Sequence, residues 1–235
     1  VPILLDEVRA LLAAQQRPLL GFATGATFAP FLRALGDDVA NARVAGAERL
    51  LATHLDEYLG FPPDRTGGMV HELTTSCPAL AAMLARGTFL PVPYDGGAAS
   101  LRAHAERLQR AGGIGLQLLG VGRNGHLAFN EPGTPFDLGF HTATLAASTR
   151  DDARSRFAPA EPPQQAVTAG PATILAARRL VVCAFGKAKA AAVAAMLHGA
   201  IDPACPASVV RRHGSVLVLL DRAAAAGLGE SPRVA

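Results

Sequence analysis

His126 stands five residues before Glu131 in the segment Gly120-Val-Gly-Arg-Asn-Gly-His126-Leu-Ala-Phe-Asn-Glu131-Pro. Imidazole is the side chain whose charge ordinarily changes near neutral pH, and a nearby carboxylate can orient the ring for acid/base work. A structural histidine capping a turn is the competing reading. Asp56 is a second candidate, in Thr53-His-Leu-Asp-Glu-Tyr58. Adjacent acids after a strand point to opposite sides, so only one of Asp56 and Glu57 faces a site easily; a solvated acidic turn is the alternative. In Gly21-Phe-Ala-Thr-Gly-Ala-Thr27 the small and hydroxyl residues let backbone N–H groups approach an anion at a helix start. The competing reading is a glycine turn with a threonine cap. Two lysines in Phe185-Gly-Lys-Ala-Lys189 work against the dipole of the helix they open, which a bound phosphate would compensate. Without such an anion they are two surface lysines.

Together these segments describe a small phosphorylated metabolite held by Thr24, Gly25 and Lys189, with proton chemistry at His126, Glu131 and Asp56. No cofactor is implied. The loop 21–27 lacks the lysine of a nucleotide-binding P-loop. The run 120–125 reads literally as G-x-G-x-x-G, but Asn130, Pro132, Gly133 and Pro135 follow it instead of a helix, and no acidic residue ends a strand about 20 residues on. No metal set is expected either, because His54, His71, His104, His141, His198 and His213 lack paired spacing with acids or cysteines.

These segments need strands to end where they begin. Apolar runs at 18–23, 49–55, 88–92, 114–119, 142–145, 180–185 and 215–220 read as strands. Helical patterns cover 4–12, 28–35 with Gly36 as a stop, 100–110 before Gly112-Gly113, and 187–197 before Gly199. Strands apolar on both faces and separated by helices make a parallel sheet covered on both sides. The expected fold is α/β: a single doubly wound, mostly parallel sheet with helices on both faces, one domain over 1–235. Pro159-Ala-Glu-Pro-Pro163 reads as a mobile loop within it. In such sheets sites lie at the C-terminal strand ends.

Composition narrows the rest. Half of the 235 residues are hydrophobic and 17% are charged, which excludes a disordered chain. The 24 glycines and 17 prolines have no period, which excludes collagen-like readings and points to many tight connections. A net charge of +3 with scattered arginines argues against nucleic-acid binding. No apolar stretch reaches membrane-spanning length, and the first residues have no basic leader region, so no membrane or signal segment is expected. Three unpaired cysteines fit a reducing compartment, and the expectation is a soluble cytoplasmic protein.

The segment 120–133 closely resembles the signature of the glucosamine-6-phosphate deaminase family, related to the 6-phosphogluconolactonases, which share its Gly-His part but not Phe-Asn-Glu-Pro. Leu55-Asp-Glu-Tyr-Leu-Gly60 and Ala23-Thr-Gly-Ala-Thr27 resemble further family motifs, as do Thr149-Arg150, Ser155-Arg-Phe157, Val167-Thr-Ala-Gly170 and Pro206-Ala-Ser208. The resemblance implies aldose-to-ketose isomerisation with loss of ammonia, converting glucosamine 6-phosphate, or its galactosamine epimer, into a ketose phosphate. It implies that His126 assists ring opening, supported by Asn124 and Glu131, and that Asp56 moves the proton from C2 to C1. Phosphate contacts would come from Thr24, Gly25, Ala26, Thr27, Arg156 and Lys189, with Gly122 among the glycines that let backbone approach the ligand.

This chain departs from the family pattern at several places. Asn124 stands where many members have Asp; an amide can position the imidazole but carries no charge. Asp64-Arg-Thr-Gly67-Gly68 lacks the usual Ser-Tyr, and the stretch 149–156 is one residue longer than usual, so matching Arg156 assumes an insertion. His141 and Ala143 stand where allosteric members have basic residues, so no activation by N-acetylglucosamine 6-phosphate is expected. The chain starts at the family's first helix, so the usual first strand is expected to be missing. A lactonase-type hydrolase and a non-catalytic sugar-phosphate-binding protein are the alternative functions, and both a monomer and a homo-oligomer stay open.

Overall fold

The computed structural model describes residues 1–229. The chain opens with helix α1 (Pro2–Ala14), then strand β1 (Leu19–Phe22) and helix α2 (Ala29–Ala40). Strands β2 (Leu51–His54) and β3 (Asp56–Tyr58) follow, then helices α3 (Met69–Ser76) and α4 (Pro78–Ala85) and strand β4 (Phe89–Leu90). Next come α5 (Ala98–Arg110), β5 (Leu116–Gly120), β6 (His141–Thr144), α6 (Ala147–Phe157) and β7 (Gln165–Thr168). The last elements are α7 (Pro171–Leu175), β8 (Leu180–Ala184), α8 (Ala190–His198) and β9 (Val216–Leu220), with short 3-10 turns between some of them.

Six strands form a sheet in the order β4-β2-β1-β5-β8-β9, and every neighbouring pair is parallel. The chain starts at β1, winds outward through β2 to β4, then returns to β5 beside β1 and winds the other way. Right-handed crossovers running in opposite directions place their helices on opposite faces. Accordingly α2, α3 and α4 touch one another on one side, whereas α8 packs with the 3-10 segments Pro206–Arg212 and Ala224–Gly227. Two-sided cover explains the composition of the strands: all four residues of β1 and all five of β8 are buried. Each leucine side chain so removed from water contributes about 1.5–3 kcal/mol.

A second, three-stranded antiparallel sheet, β3-β7-β6, goes beyond the single sheet that the sequence pattern predicts. Its register pairs Asp56 with Thr168 and Thr168 with His141. Strands of three or four residues are too short to show a period of two, and Asp56 had read as the loop beyond β2. Helices α3, α4, α6 and α7 also escaped the sequence pattern; α6 is mostly polar and buries only Thr149 fully.

Gly36 does not stop α2, which runs on to Ala40. The glycine is buried, and a side chain there would meet Cys77 Sγ at 3.4 Å, so it serves close helix packing. Lys187–Lys189 forms a 3-10 turn ahead of α8 rather than its first helical turn. Arg49, expected as the first residue of the second strand, instead ends the 3-10 turn Ala47–Arg49, and β2 begins at Leu51. Among the described residues no helix is long and apolar enough to cross a membrane.

Candidate active site

The strand order reverses between β1 and β5, and in doubly wound sheets the crevice at that reversal receives the ligand. The two glycine-rich segments singled out in the sequence leave the sheet there. After β1 the chain turns through Gly25, whose φ of +92° suits a glycine, and its carbonyl accepts the N–H groups of Phe28 and Ala29 at the start of α2. Thr24 Oγ1 donates to Met69 Sδ at 3.1 Å, and Gly25 N–H donates to Glu72 Oε1 at 2.6 Å. Arg156 reaches the same place from α6, pairing with Glu72 Oε2 at 2.6 Å and touching Met69 Sδ at 3.3 Å. The structure therefore unites Thr24, Gly25 and Arg156, through two residues of α3 that the sequence reading missed.

Ala26 and Thr27 line an apolar cavity of about 610 Å³ together with Phe31, Phe185 and Leu220, and its lining includes neither Asp56 nor His126. Lys189 lies half-buried at the start of α8. Burial lowers its pKa, the Asp152 charge works in the opposite direction, and Arg123 lowers it further. These two opposing charges pair with each other at 2.9 Å. The anion expected near Phe185-Gly186 has a counterpart within the chain: Asp221, just beyond β9, accepts the Gly186 N–H at 3.0 Å and the Ala224 N–H at 2.7 Å.

Asp56 and Glu57 divide as strand alternation requires. Glu57 is fully buried and turns to the N-terminus of α3, where its carboxylate accepts the N–H groups of Met69 at 2.9 Å and Val70 at 3.0 Å. Burial pushes its pKa up, while these bonds and one from Tyr58 N–H pull it down. Gly68 is the residue that lets α3 come this close, since a side chain there would press on the Glu57 carboxylate at 3.2 Å. Asp56 is 8% exposed, and its pKa is pushed up to about 8. Burial is the main cause; the charges of Glu57 and Glu72 add to it and that of Arg156 opposes it.

Beyond β5 the chain folds back on itself: Gly122 N–H donates to the His126 carbonyl at 2.9 Å, and Gly125 takes a φ of +83°. The His126 ring lies so close over Gly122 that any side chain there would collide with it. His126 Nδ1 is 3.2 Å from Thr149 Oγ1 and 3.6 Å from Glu131 Oε2. Asn124 clamps this pair, accepting His126 N–H at 3.1 Å and donating to Glu131 Oε2 at 2.8 Å and Ser148 Oγ at 3.4 Å. Glu131 Oε1 accepts Ala146 N–H at 3.2 Å. Desolvation, the largest influence on Glu131, pushes its pKa up, but the polar groups of His126 and Thr149 nearby and the hydrogen bond from Asn124 outweigh it and hold the group at about 2. An ionised carboxylate facing Nδ1 favours the proton there, leaving Nε2 as the proton acceptor.

The Phe-Asn-Glu part is pinned to the other half of the site. Phe129 N–H donates to Thr168 Oγ1 at 3.1 Å, and Thr168 is the residue paired with Asp56. Buried Asn130 donates to the carbonyls of Leu127 at 2.7 Å and Ala169 at 2.9 Å, while Ala128 adopts a strained φ of +52°. Thr149 and Ser148, unassigned in the sequence, complete the imidazole's surroundings. A hydroxyl at the start of a polar helix gives no local sign of its partner.

Comparison with known proteins identifies the family. The family model described as glucosamine-6-phosphate isomerases/6-phosphogluconolactonase matches residues 3–218. A glucosamine-6-phosphate deaminase of Streptococcus equi subsp. zooepidemicus is 37% identical over 220 residues, covering 92% of this chain and 89% of that protein. One from Bacillus velezensis is 38% identical over 223 residues, covering 91% of this chain and 90% of that protein. Among solved structures, a monomeric glucosamine-6-phosphate deaminase superposes with a TM-score of 0.85 at 30% identity, covering 96% of this chain and 94% of that one. The 6-phosphogluconolactonase of Trypanosoma brucei shares the fold at a TM-score of 0.75 and 20% identity, covering 97% and 94% of the two chains. The chain belongs to the glucosamine-6-phosphate isomerase/6-phosphogluconolactonase family.

Proposed function

We propose that this chain is an amino-sugar-phosphate deaminase that converts glucosamine 6-phosphate and water into fructose 6-phosphate and ammonia. In this reading Nε2 of His126 takes the C1 hydroxyl proton as the pyranose ring opens and returns one to the ring oxygen. Glu131 and Asn124 hold the imidazole, and Thr149 fixes its edge. The ring-opened sugar exposes the acidic C2–H beside its aldehyde. Asp56 removes that proton and delivers it to C1 of the enolamine, leaving a C2 imine that water hydrolyses with release of ammonia. The chemistry needs an acid/base pair on one side of the substrate and a separate proton carrier on the other.

The observation that carries this reading is the buried Asp56 with a pKa near 8, held apart from the His126–Glu131 pair but tied to it through Thr168. A proton carrier poised near neutral pH can give as readily as it takes. A lactonase needs the histidine but no C2 proton acceptor. Incubation with glucosamine 6-phosphate and galactosamine 6-phosphate should yield ammonia and ketose phosphate from at least one; no ammonia from either refutes the reading. Asp56→Asn should abolish exchange of the C2 proton with solvent while binding of the sugar phosphate survives. Hydrolysis of a 6-phosphogluconolactone indifferent to Asp56 would favour the lactonase instead.

A further inference from the structure

Glu72 occupies the place that an anion on the β1 loop would take. One carboxylate oxygen holds the Gly25 N–H at 2.6 Å and the other holds the Arg156 guanidinium at 2.6 Å. Both side chains are largely shielded, Glu72 being 24% and Arg156 27% exposed. Short charge-assisted bonds of this kind are the strong ones. The placement does not depend on a wandering side chain. Met69 and Glu72 are three residues apart on α3 and share a face, and Met69 Sδ touches both Thr24 Oγ1 and Arg156. Glu57 anchors the first turn of α3 through two N–H groups. A rigid helix therefore presents a carboxylate to the two donors that a phosphate would need.

We propose that Glu72 is the specificity-determining residue of this pocket: an internal competitor that a phosphorylated ligand must displace from Gly25 and Arg156. The inference rests on the reading that this loop takes the substrate's phosphate. A resident monoanion sets a threshold. Singly charged anions gain too little from the exchange, whereas a phosphomonoester dianion brings twice the charge and three acceptor oxygens to the same donors. The pocket thereby selects for the dianion at the cost of absolute affinity. The residue controls which anion enters and takes no part in proton transfer.

Calorimetric titration with inorganic phosphate tests this on the full chain, the Glu72→Gln and Glu72→Ala variants, and Arg156→Ala. Glu72→Gln keeps the side-chain volume and removes the charge, so it remains informative if Glu72→Ala fails to fold. The expected result is a Kd for phosphate at least about tenfold lower in Glu72→Gln, corresponding to roughly 1.4 kcal/mol, with binding lost in Arg156→Ala. Measurable binding in Glu72→Gln against none in the parent supports the proposal equally. Binding no tighter in the variant, or absent in both, overturns it. The ammonia assay runs in parallel and separates the two claims. Ammonia from the parent without tighter phosphate binding in Glu72→Gln refutes the gate alone; tighter binding without ammonia refutes the deaminase reading alone.

Discussion

Asp56 and Glu57 are chain neighbours with opposite environments, and the difference is a matter of which side of β3 each faces. Glu57 has three N–H groups to neutralise it, whereas Asp56 is buried among carboxylates with Arg156 as its counterweight. The folded pKa of Asp56, about 8, lies above the ordinary aspartate value of 3.8, so the folded state holds this proton more tightly than the unfolded chain. Stability present below the unfolded pKa is then lost as pH rises toward about 8. Asp56→Asn removes that titration, so its melting temperature should gain on the parent's between about pH 4 and about pH 8. The parent's kcat/KM should rise with pH on a limb centred near 8, read from a rate–pH profile of the free enzyme. Gly122 offers a second test. Gly122→Ala drives a methyl group into the His126 ring, and a displacement of that size should cost on the order of 10²-fold in kcat/KM, with the melting temperature little changed.

Two helices do most of the positioning. On α6, Thr149 and Arg156 are seven residues apart and so lie on one face, roughly 10 Å from each other along the axis. The first meets the His126 ring and the second meets Glu72, which holds the Gly25 N–H, so one rigid rod sets the spacing between the His126–Glu131 pair and the Glu72 carboxylate. Arg156 is thus placed at Glu72 by helical register. On α3 the N-terminus is locked to the strand that carries Asp56. Glu57→Gln replaces one acceptor oxygen with an NH₂ group that faces an N–H donor. It should lower unfolding stability by about 1–3 kcal/mol in a urea titration, and it should loosen the helix that presents Glu72.

At the scale of the molecule, the reversal of strand order brings the loops after β1 and β5 together, and the small antiparallel sheet delivers Asp56 to them. Thr168 joins the parts: its backbone pairs with Asp56 and its hydroxyl accepts Phe129 N–H. Thr168→Val keeps the shape and deletes the acceptor, leaving a buried N–H unpaired. The expected cost is about 1–3 kcal/mol in stability, with a fall in kcat larger than any change in KM, measured by denaturant midpoint and steady-state kinetics. None of the proton-transfer candidates lines the apolar cavity beside Ala26, Thr27 and Phe185.

The parallel sheet and the strand ends that bear the candidate residues are legible in the sequence alone. Burial on both faces demands uninterrupted apolar runs, and tight returns demand glycine at positive φ, as at Gly25 and Gly125. Both demands are local, so they are written in adjacent residues, and the motifs around Asp56, His126 and Glu131 lie where those runs stop. Only the folded chain reveals that Glu72 holds the Gly25 N–H, that Thr149 meets the imidazole, that Ala26 and Thr27 line an apolar cavity, and that Asp56 belongs to a second sheet. Gly36 reads as a helix stop until Cys77 is packed against it. These outcomes depend on contacts between residues 23 to 112 positions apart in the chain. Such contacts follow from helix register and from the crossing of one element over another, and no window of neighbouring residues encodes either.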